Sequence, residues 1–249
     1  MVFELYDRSR AGYLFGQTEE TFIHSCMQGI MGSIYADDAE DPTSAAACLG
    51  DFVFFAGKAE KELLEVIPKG YAIIVPMNEK WEAFIASSFP KAERITRYAT
   101  RKDTSFDEKK LLEIKGSLPS GYDLRDIDGD TYDLCLKEVF SRDLVSVFGS
   151  RKRFLELGKG KVILKNGGVV SGASSYSRYD RGIEIEVDTA EDERRKGLAA
   201  ICCAALILEC LKDGLYPSWD AHNRASLHLA EKLGYELDHE YTAFELKEI

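Results

Sequence analysis

No apolar run in this sequence reaches the roughly 18 residues that a membrane-spanning helix needs. The opening "MVFELYDRSR" is charged early and lacks the apolar stretch of a secretory signal. The six cysteines, Cys26, Cys48, Cys135, Cys202, Cys203 and Cys210, form no C-x-x-C pair. Most of them fall inside apolar periodic segments, so they are expected to be buried free thiols, with no metal site. There is no basic tail. The net charge of −11 is shared between the two halves, which argues against nucleic acid or an anionic membrane as partner. That acidity is compatible with a cationic substrate, and equally with nothing more than solubility. Two nucleotide signatures are missing as well: neither G-x-x-x-x-G-K-[ST] nor a G-x-G-x-x-G after a strand occurs. These absences leave a cytoplasmic protein as the expectation.

With 249 residues and 45% hydrophobic content, the chain can bury one large core or two small ones. In the first half, "TEETFIHSCMQGIMGSIYAD" places Phe22, Ile23, Cys26, Met27, Ile30, Met31 and Ile34 at helical spacing behind Thr18 as N-cap. "DFVFFAG" and "YAIIV" predict strands separated by a helix in "KAEKELLEVI". "NEKWEAFIASSF" predicts a helix capped by Asn78 with Trp81, Phe84 and Ile85 inward, and "AERITRYAT" a further strand. "DEKKLLEIKGSLPSG" predicts a short helix running into a linker, so a boundary is expected between a 1–117 domain and a 118–249 domain.

Beyond that boundary, "YDLRDID" predicts an edge strand and "TYDLCLKEVFSRDLVSVF" one helix presenting Leu136, Val139, Phe140, Leu144 and Val147. Two β-rich runs flank Asn166-Gly167-Gly168, a hairpin signal. "IEIEV" adds a strand, and Leu198–Lys212 predicts a helix. "YPSWDA" follows as a parallel strand, then a helix from the Asn223 cap to the Gly234 stop, then a closing strand. Helix and strand order in 51–98 and in 183–247 agree, which admits either a degenerate internal duplicate or ordinary βαβ alternation.

The segment "EDERRKGLAAICCAALILECLK" sets Arg194, Arg195 and Lys196 at the mouth of a helix. A helix N-terminus carries unpaired N–H groups and about half a positive charge, so cations there repel it unless an anion sits between them. Gly197 removes a Cβ at that point and Ala199 and Ala200 keep the next turn small, as a phosphate cradle requires. A solvated basic turn offset by Glu191, Asp192 and Glu193 fits the spacing equally well.

"RRKGLA" fits [QR]-x-x-G-x-[GA], and here the chain resembles the GNAT superfamily of N-acetyltransferases, with Arg194, Gly197 and Ala199 at the defining positions. "IEIEV" before it and "YPSWDAHNRASLHLAEKLGYEL" after it extend the likeness over about residues 118–249. The fuller arrangement resembles the zwittermicin A resistance-type branch. The resemblance implies a mixed α/β (α+β) fold: a mostly antiparallel, splayed sheet flanked by helices, preceded by a smaller α/β N-terminal domain. It implies acetyl-CoA as acyl donor, held by Val187, Asp188, Thr189, Arg194, Arg195, Lys196, Gly197, Leu198, Ala199, Asn223 and Ser226. It also implies a small-molecule amine acceptor. The chemistry is attack of an amine on a thioester, which needs a base. Glu184 and Glu186 share one strand face and are the candidates; a solvated strand face is the plainer alternative. The family's usual acid is a tyrosine two residues before the lysine of its K-x-G segment, where this chain has Ala230. His228 and Tyr235 are weak substitutes. His24, Trp81 and Trp219 are expected to be structural, and His222 a loop residue. A non-catalytic acyl-CoA-binding or regulatory protein is the alternative function. Whether the chain is a monomer or a homodimer stays open.

Overall fold

The computed structural model describes residues 1–247. The chain packs as two compact units: Met1–Arg97 together with the strand from Glu240, and Tyr98–His239. Each has its own sheet, and both sheets are largely antiparallel and flanked by helices.

In the first unit, β1 (Phe3–Glu4) precedes the short helices α1 (Gly12–Phe15) and α2 (Thr21–Gln28). Helix α2 stops earlier than its apolar spacing predicts, because Gly29 turns left-handed at φ +72° and takes the last carbonyls. Residues expected to prolong it instead form β2 (Ser33–Ala36). Thr18 is not its N-cap: the cap position is Glu20, whose N–H donates to Thr18 Oγ1. A strand without a sequence signal, β3 (Ser44–Leu49), follows, then β4 (Phe52–Gly57). The helix expected after β4 is only a 3-10 stretch, Lys61–Val66. Next come β5 (Tyr71–Pro76), α3 (Glu79–Ser88) and β6 (Glu93–Thr100). Asn78 caps α3 as predicted, accepting from Trp81 N at 3.0 Å. Strands β1 to β4 pair antiparallel in sequence and β4 pairs parallel with β5. The chain's closing strand β13 (Leu237–Lys247) then pairs antiparallel with β5, Phe244 opposite Ile74. Trp81 lies fully buried on Phe55, with Ile74, Ile85 and Phe244 around it.

The second unit starts earlier than the expected 117/118 boundary. Helix α4 (Glu108–Gly116) is no linker: Leu111 is fully buried in the same core as Ile201 and Leu206, with Ile114 packed against it. Burial of those side chains ties α4 to this unit. After β7 (Asp123–Asp126) the single predicted helix is two, α5 (Gly129–Cys135) and α6 (Val139–Ser146). A capping box between Asp128 and Thr131 starts α5, and Ser141 Oγ donates to Cys135 O at 2.8 Å at its end. The break leaves Val139 79% exposed, whereas Leu144 and Val145 are buried. Helix α7 (Arg151–Leu157) was not predicted. The meander β8 (Gly160–Lys165), β9 (Gly168–Tyr179) and β10 (Gly182–Thr189) follows, with the Asn166-Gly167 turn in left-handed backbone as foreseen. Then come α8 (Leu198–Lys212), β11 (Tyr216–Ser218), β12 (Asp220–Ala221) and α9 (Arg224–Leu233), which runs from the Asn223 cap to Gly234. Sheet order is β11-β10-β9-β8-β7, antiparallel except for β10 with β11, while β12 pairs with Tyr98 and Ala99 of β6. Lys159 and Lys161 of the β8 region bind Glu209 on α8, and Lys159 reaches Asp213 at 2.6 Å, fixing the helix along the sheet.

Taken each by itself, the two units run through the same order. A strand and helices lead into a three-stranded meander, then a helical segment, a parallel strand, an asparagine-capped helix and a last strand. They differ most at the helical segment: six residues of 3-10 helix in the first, fifteen residues of α-helix in the second.

Candidate active site

The site follows from how β10 loses its neighbour. Gly182, Ile183 and Glu184 pair with Tyr216, Pro217 and Ser218, and there the parallel ladder ends. The chain past Ser218 leaves β10 and pairs, as β12, with β6. From Ile185 to Thr189, therefore, β10 is bonded to β9 on one edge only. The sheet forks, and the exposed edge offers main-chain N–H and C=O groups that a guest can pair with.

Glu184 stands at the closed end of this fork, 2% exposed. Its register partners are Ser177 on β9 and Ser218 on β11, both fully buried. Gly182 is obligatory beside it: a Cβ there would come within 2.1 Å of Tyr216 O and 2.6 Å of the Tyr179 hydroxyl. Burial and the nearby Glu184 carboxylate push the Tyr179 hydroxyl above its ordinary range. A register shift between Glu184 and Ile185 leaves Tyr176 as the extra residue on β9. Ile183 and Ile185 face the core under α8, as the alternation predicts, while Gly172 and Ser174, opposite Asp188 and Glu186, face Leu144 of α6. Glu184, Glu186 and Asp188 thus share the α6 face. Burial, with Asp143 of α6 adding to it, raises Asp188 above the usual carboxylate range, although Asp188 Oδ1 accepts from Thr189 N at 2.6 Å.

At the open end, the chain turns through Ala190 and Glu191–Glu193 into α8. Glu193 is buried, and Lys165 Nζ (2.6 Å), Lys196 Nζ (2.8 Å) and the Tyr122 hydroxyl (2.5 Å) converge on its carboxylate. Those bonds hold it down to about 2. The acids thus neutralise part of the basic cluster, but only part. Arg194 donates Nε to Thr189 O at 3.2 Å, and Arg195 lies exposed in left-handed backbone at φ +64°. Neither makes an ion pair among the described residues. Gly197 precedes α8 at φ +82° with nothing within 4 Å of a Cβ built on it. No side chain caps the helix, and the first N–H to find an intrahelical carbonyl is that of Ile201, on Gly197 O at 3.2 Å. The N–H groups of Leu198, Ala199 and Ala200 are left pointing out of a helix start flanked by arginines. This meets the requirement for an anion site.

The other candidates separate clearly. Asn223 Oδ1 is spent on Ser226 N at 3.0 Å, and Ser226 Oγ accepts from Trp219 Nε1 at 3.2 Å. Tyr235 is buried with its hydroxyl donating to Pro217 O at 2.5 Å, so it is a core residue. The His228 side chain is 86% exposed, 3.8 Å from Glu231, and faces away from buried Leu227 and Ala230; it has no place at the fork. Trp81 and Trp219 are core residues as expected, and all six cysteines are free thiols.

A family profile described as GNAT acetyltransferase matches residues 13–244. The chain belongs to the GNAT acetyltransferase family. It is an N-acetyltransferase, and enzymes of this family take their acetyl group from acetyl-CoA. Among its relatives is the uncharacterized N-acetyltransferase YdfB of Bacillus subtilis strain 168, 27% identical over 90% of this chain and 89% of that one. A crystal structure of a GCN5-related N-acetyltransferase-like protein from Streptococcus suis 89/1591 is 49% identical, with TM-score 0.92 over 96% of this chain and 98% of that one. A tandem GNAT protein from the clavulanic acid biosynthesis pathway shares the fold, at 12% identity and TM-score 0.52 over 86% and 82% of the two chains. The match to the family takes in both units of this GNAT chain, well beyond the 118–249 stretch that carries its motifs. Two features of the site have no sequence signature: Lys102, whose Nζ donates to Ser218 Oγ at 2.7 Å, and the serine pair beside Glu184. Only the pairing of distant segments brings them together.

Proposed function

We propose that this enzyme transfers the acetyl group of acetyl-CoA to the primary amine of a small molecule such as a polyamine, aminopolyol or antibiotic-like amine. The observation that carries the reading is a continuous path in the second unit. It runs from the uncapped start of α8, along the open edge of β10, to a buried glutamate where the fork closes. The residues present fit the donor. Leu198, Ala199 and Ala200 offer N–H groups, and Arg194 and Arg195 positive charge, to its diphosphate. The main chain of Val187–Thr189 faces its amide-bearing arm. Acetyl-CoA supplies an activated acetyl thioester; the chain's own groups do the rest. Glu184 accepts the proton that an acceptor ammonium must lose before it can attack. Glu186, Asp188 and Asp143 make the approach on the α6 side acidic, which favours a cationic acceptor. Asn223 is a helix cap in this reading, with its amide nitrogen the one group left to offer a ligand. Membership in the zwittermicin A resistance-type branch, and a place in the cytoplasm, belong to this proposal as well.

Isothermal titration with CoA and a coupled assay of thiol release across polyamines, aminopolyols and aminoglycosides test it. Uptake of CoA with turnover of at least one amine supports the reading. CoA uptake with no amine turned over favours an acyl-CoA-binding regulator instead. No uptake of CoA refutes it.

A further inference from the structure

The last rung of the β10–β11 ladder joins Glu184 to Ser218, and the rung on the other side joins Glu184 to Ser177. Three polar side chains thus lie in a row across β9, β10 and β11, on one face, where the fork closes. Ser177 is fully buried, and its Oγ has no hydrogen-bond partner among the described residues. A buried hydroxyl without a partner is costly, and few survive without a reason. Ser218 is also fully buried, and its Oγ accepts from Lys102 Nζ at 2.7 Å. An ammonium only donates, so the Ser218 oxygen is the acceptor in that bond and its own O–H is left to give elsewhere. No described residue takes it. Lys102 is itself anchored, with a second, longer contact of 3.5 Å to Trp219 O, a carbonyl that Thr100 Oγ1 also holds at 2.6 Å. The row therefore carries one unused hydroxyl on each flank of a carboxylate, and one of the two is backed by a cation.

We infer that Ser218, held by Lys102, returns the proton to the departing sulfur in the transfer reaction. This rests on the acetyl-transfer reading above. The residues that might otherwise give that proton are occupied elsewhere: Tyr235 is bonded to Pro217 O, and His228 faces solvent. The balance is as follows. Glu184 takes a proton from the acceptor ammonium, the nitrogen forms a bond to the acetyl carbon, and the carbon–sulfur bond breaks with its electron pair on sulfur. Ser218 gives its proton to that sulfur while Lys102 Nζ replaces it. Lys102, only partly buried, is reprotonated by water. The amide nitrogen sheds its second proton through Glu184. An ammonium and a thioester become an amide, a thiol and one released proton. Lys102 acts through Ser218 and is a positioning residue; Ser218 is the catalytic one.

The test uses the full chain with CoA itself. The thiolate absorbance of bound CoA is titrated with pH against the complex with desulfo-CoA, in wild type, Lys102→Met and Lys102→Arg. A cation close to the sulfur is expected to lower the bound thiol by about one pH unit relative to free CoA. Lys102→Met should abolish that shift with CoA affinity unchanged, and Lys102→Arg should restore most of it. Ser218→Ala should cut acetyl-CoA turnover at least about tenfold, as loss of a general acid does, with CoA binding intact. If CoA binds and its thiol titrates alike in wild type and Lys102→Met, the inference is overturned while the acetyl-transfer reading stands. If CoA does not bind the wild-type chain, that reading has failed and this one with it.

Discussion

Gly197→Ala separates the anion cradle from ordinary helix stability, because the same helix carries its own control. Gly197 begins α8 at φ +82° and Gly214 follows its end at φ +69°, and neither has an atom within 4 Å of a built Cβ. An alanine at either position meets no clash and only the cost of left-handed backbone, about 1–2 kcal/mol. For a chain of this size that lowers the melting temperature by about 2–4 °C per kcal/mol. The two variants should therefore melt alike. They should differ in binding. A methyl group at 197 stands among the free N–H groups of Leu198 to Ala200 and keeps a diphosphate at a distance. Losing one charge-assisted bond, about 1.5–3 kcal/mol, weakens CoA binding roughly tenfold to a hundredfold. Gly214→Ala should bind CoA like wild type. Differential scanning fluorimetry and isothermal titration on the same preparations read both quantities. Equal CoA affinity in the two variants would falsify the cradle, since the start of α8 would then be only a helix end.

Glu184→Gln should lower turnover by about 10²–10⁴-fold, the usual worth of a general base, with CoA affinity kept; a variant at full speed would remove Glu184 from the chemistry. His228→Ala should leave turnover and melting temperature unchanged, and a slowed enzyme would mean that the outer face of α9 takes part after all. Glu193 makes an acid-limb prediction. Its folded carboxyl, near 2, lies below the unfolded value of about 4.3, so its stabilising contribution is complete above about 4.3 and is lost as pH falls towards 2. Urea midpoints between neutral and acid pH should decline less steeply in Glu193→Gln than in wild type; identical slopes would show that the Lys165–Lys196–Tyr122 cluster does not set that carboxyl.

What could be read from the sequence was whatever local chemistry decides. Asn166-Gly167 forces its turn by backbone alone, Asn223 and Gly234 delimit α9 by capping, and the Leu198–Lys212 helix was bounded by its apolar run. The cradle was legible for the same reason, because it is built from consecutive main-chain groups. Errors came where packing overrules pattern. Apolar residues at helical spacing ran on through Ile34, yet Gly29 had already ended the helix and Ile34 is buried in a strand. "SAAACL" is nearly all small and buried on both faces, so β3 shows no alternation to detect. Residues 131–148 keep one apolar phase across a break that Ser141 and the Asp128 box impose. Of the reaction centre, Glu184 was visible as one of two acids on a strand. Its companions were not. Ser177, Ser218 and Lys102 lie on separate segments, and no spacing rule links them before the sheet forks.

Strand β13 has a consequence for how the chain is made. Residues 240–247 belong to the unit built by residues 1–97, where Phe244 lies beside Ile74 at the rim of the Trp81 cluster. The leading third of the polypeptide must accordingly emerge from the ribosome with a missing plank in its sheet, and wait through the synthesis of about 140 further residues before it can close. During that interval β5 has an unsealed margin that invites stray pairing, so a holding chaperone, or slow release of the nascent chain, should matter more here than for a protein whose halves mature in order of translation.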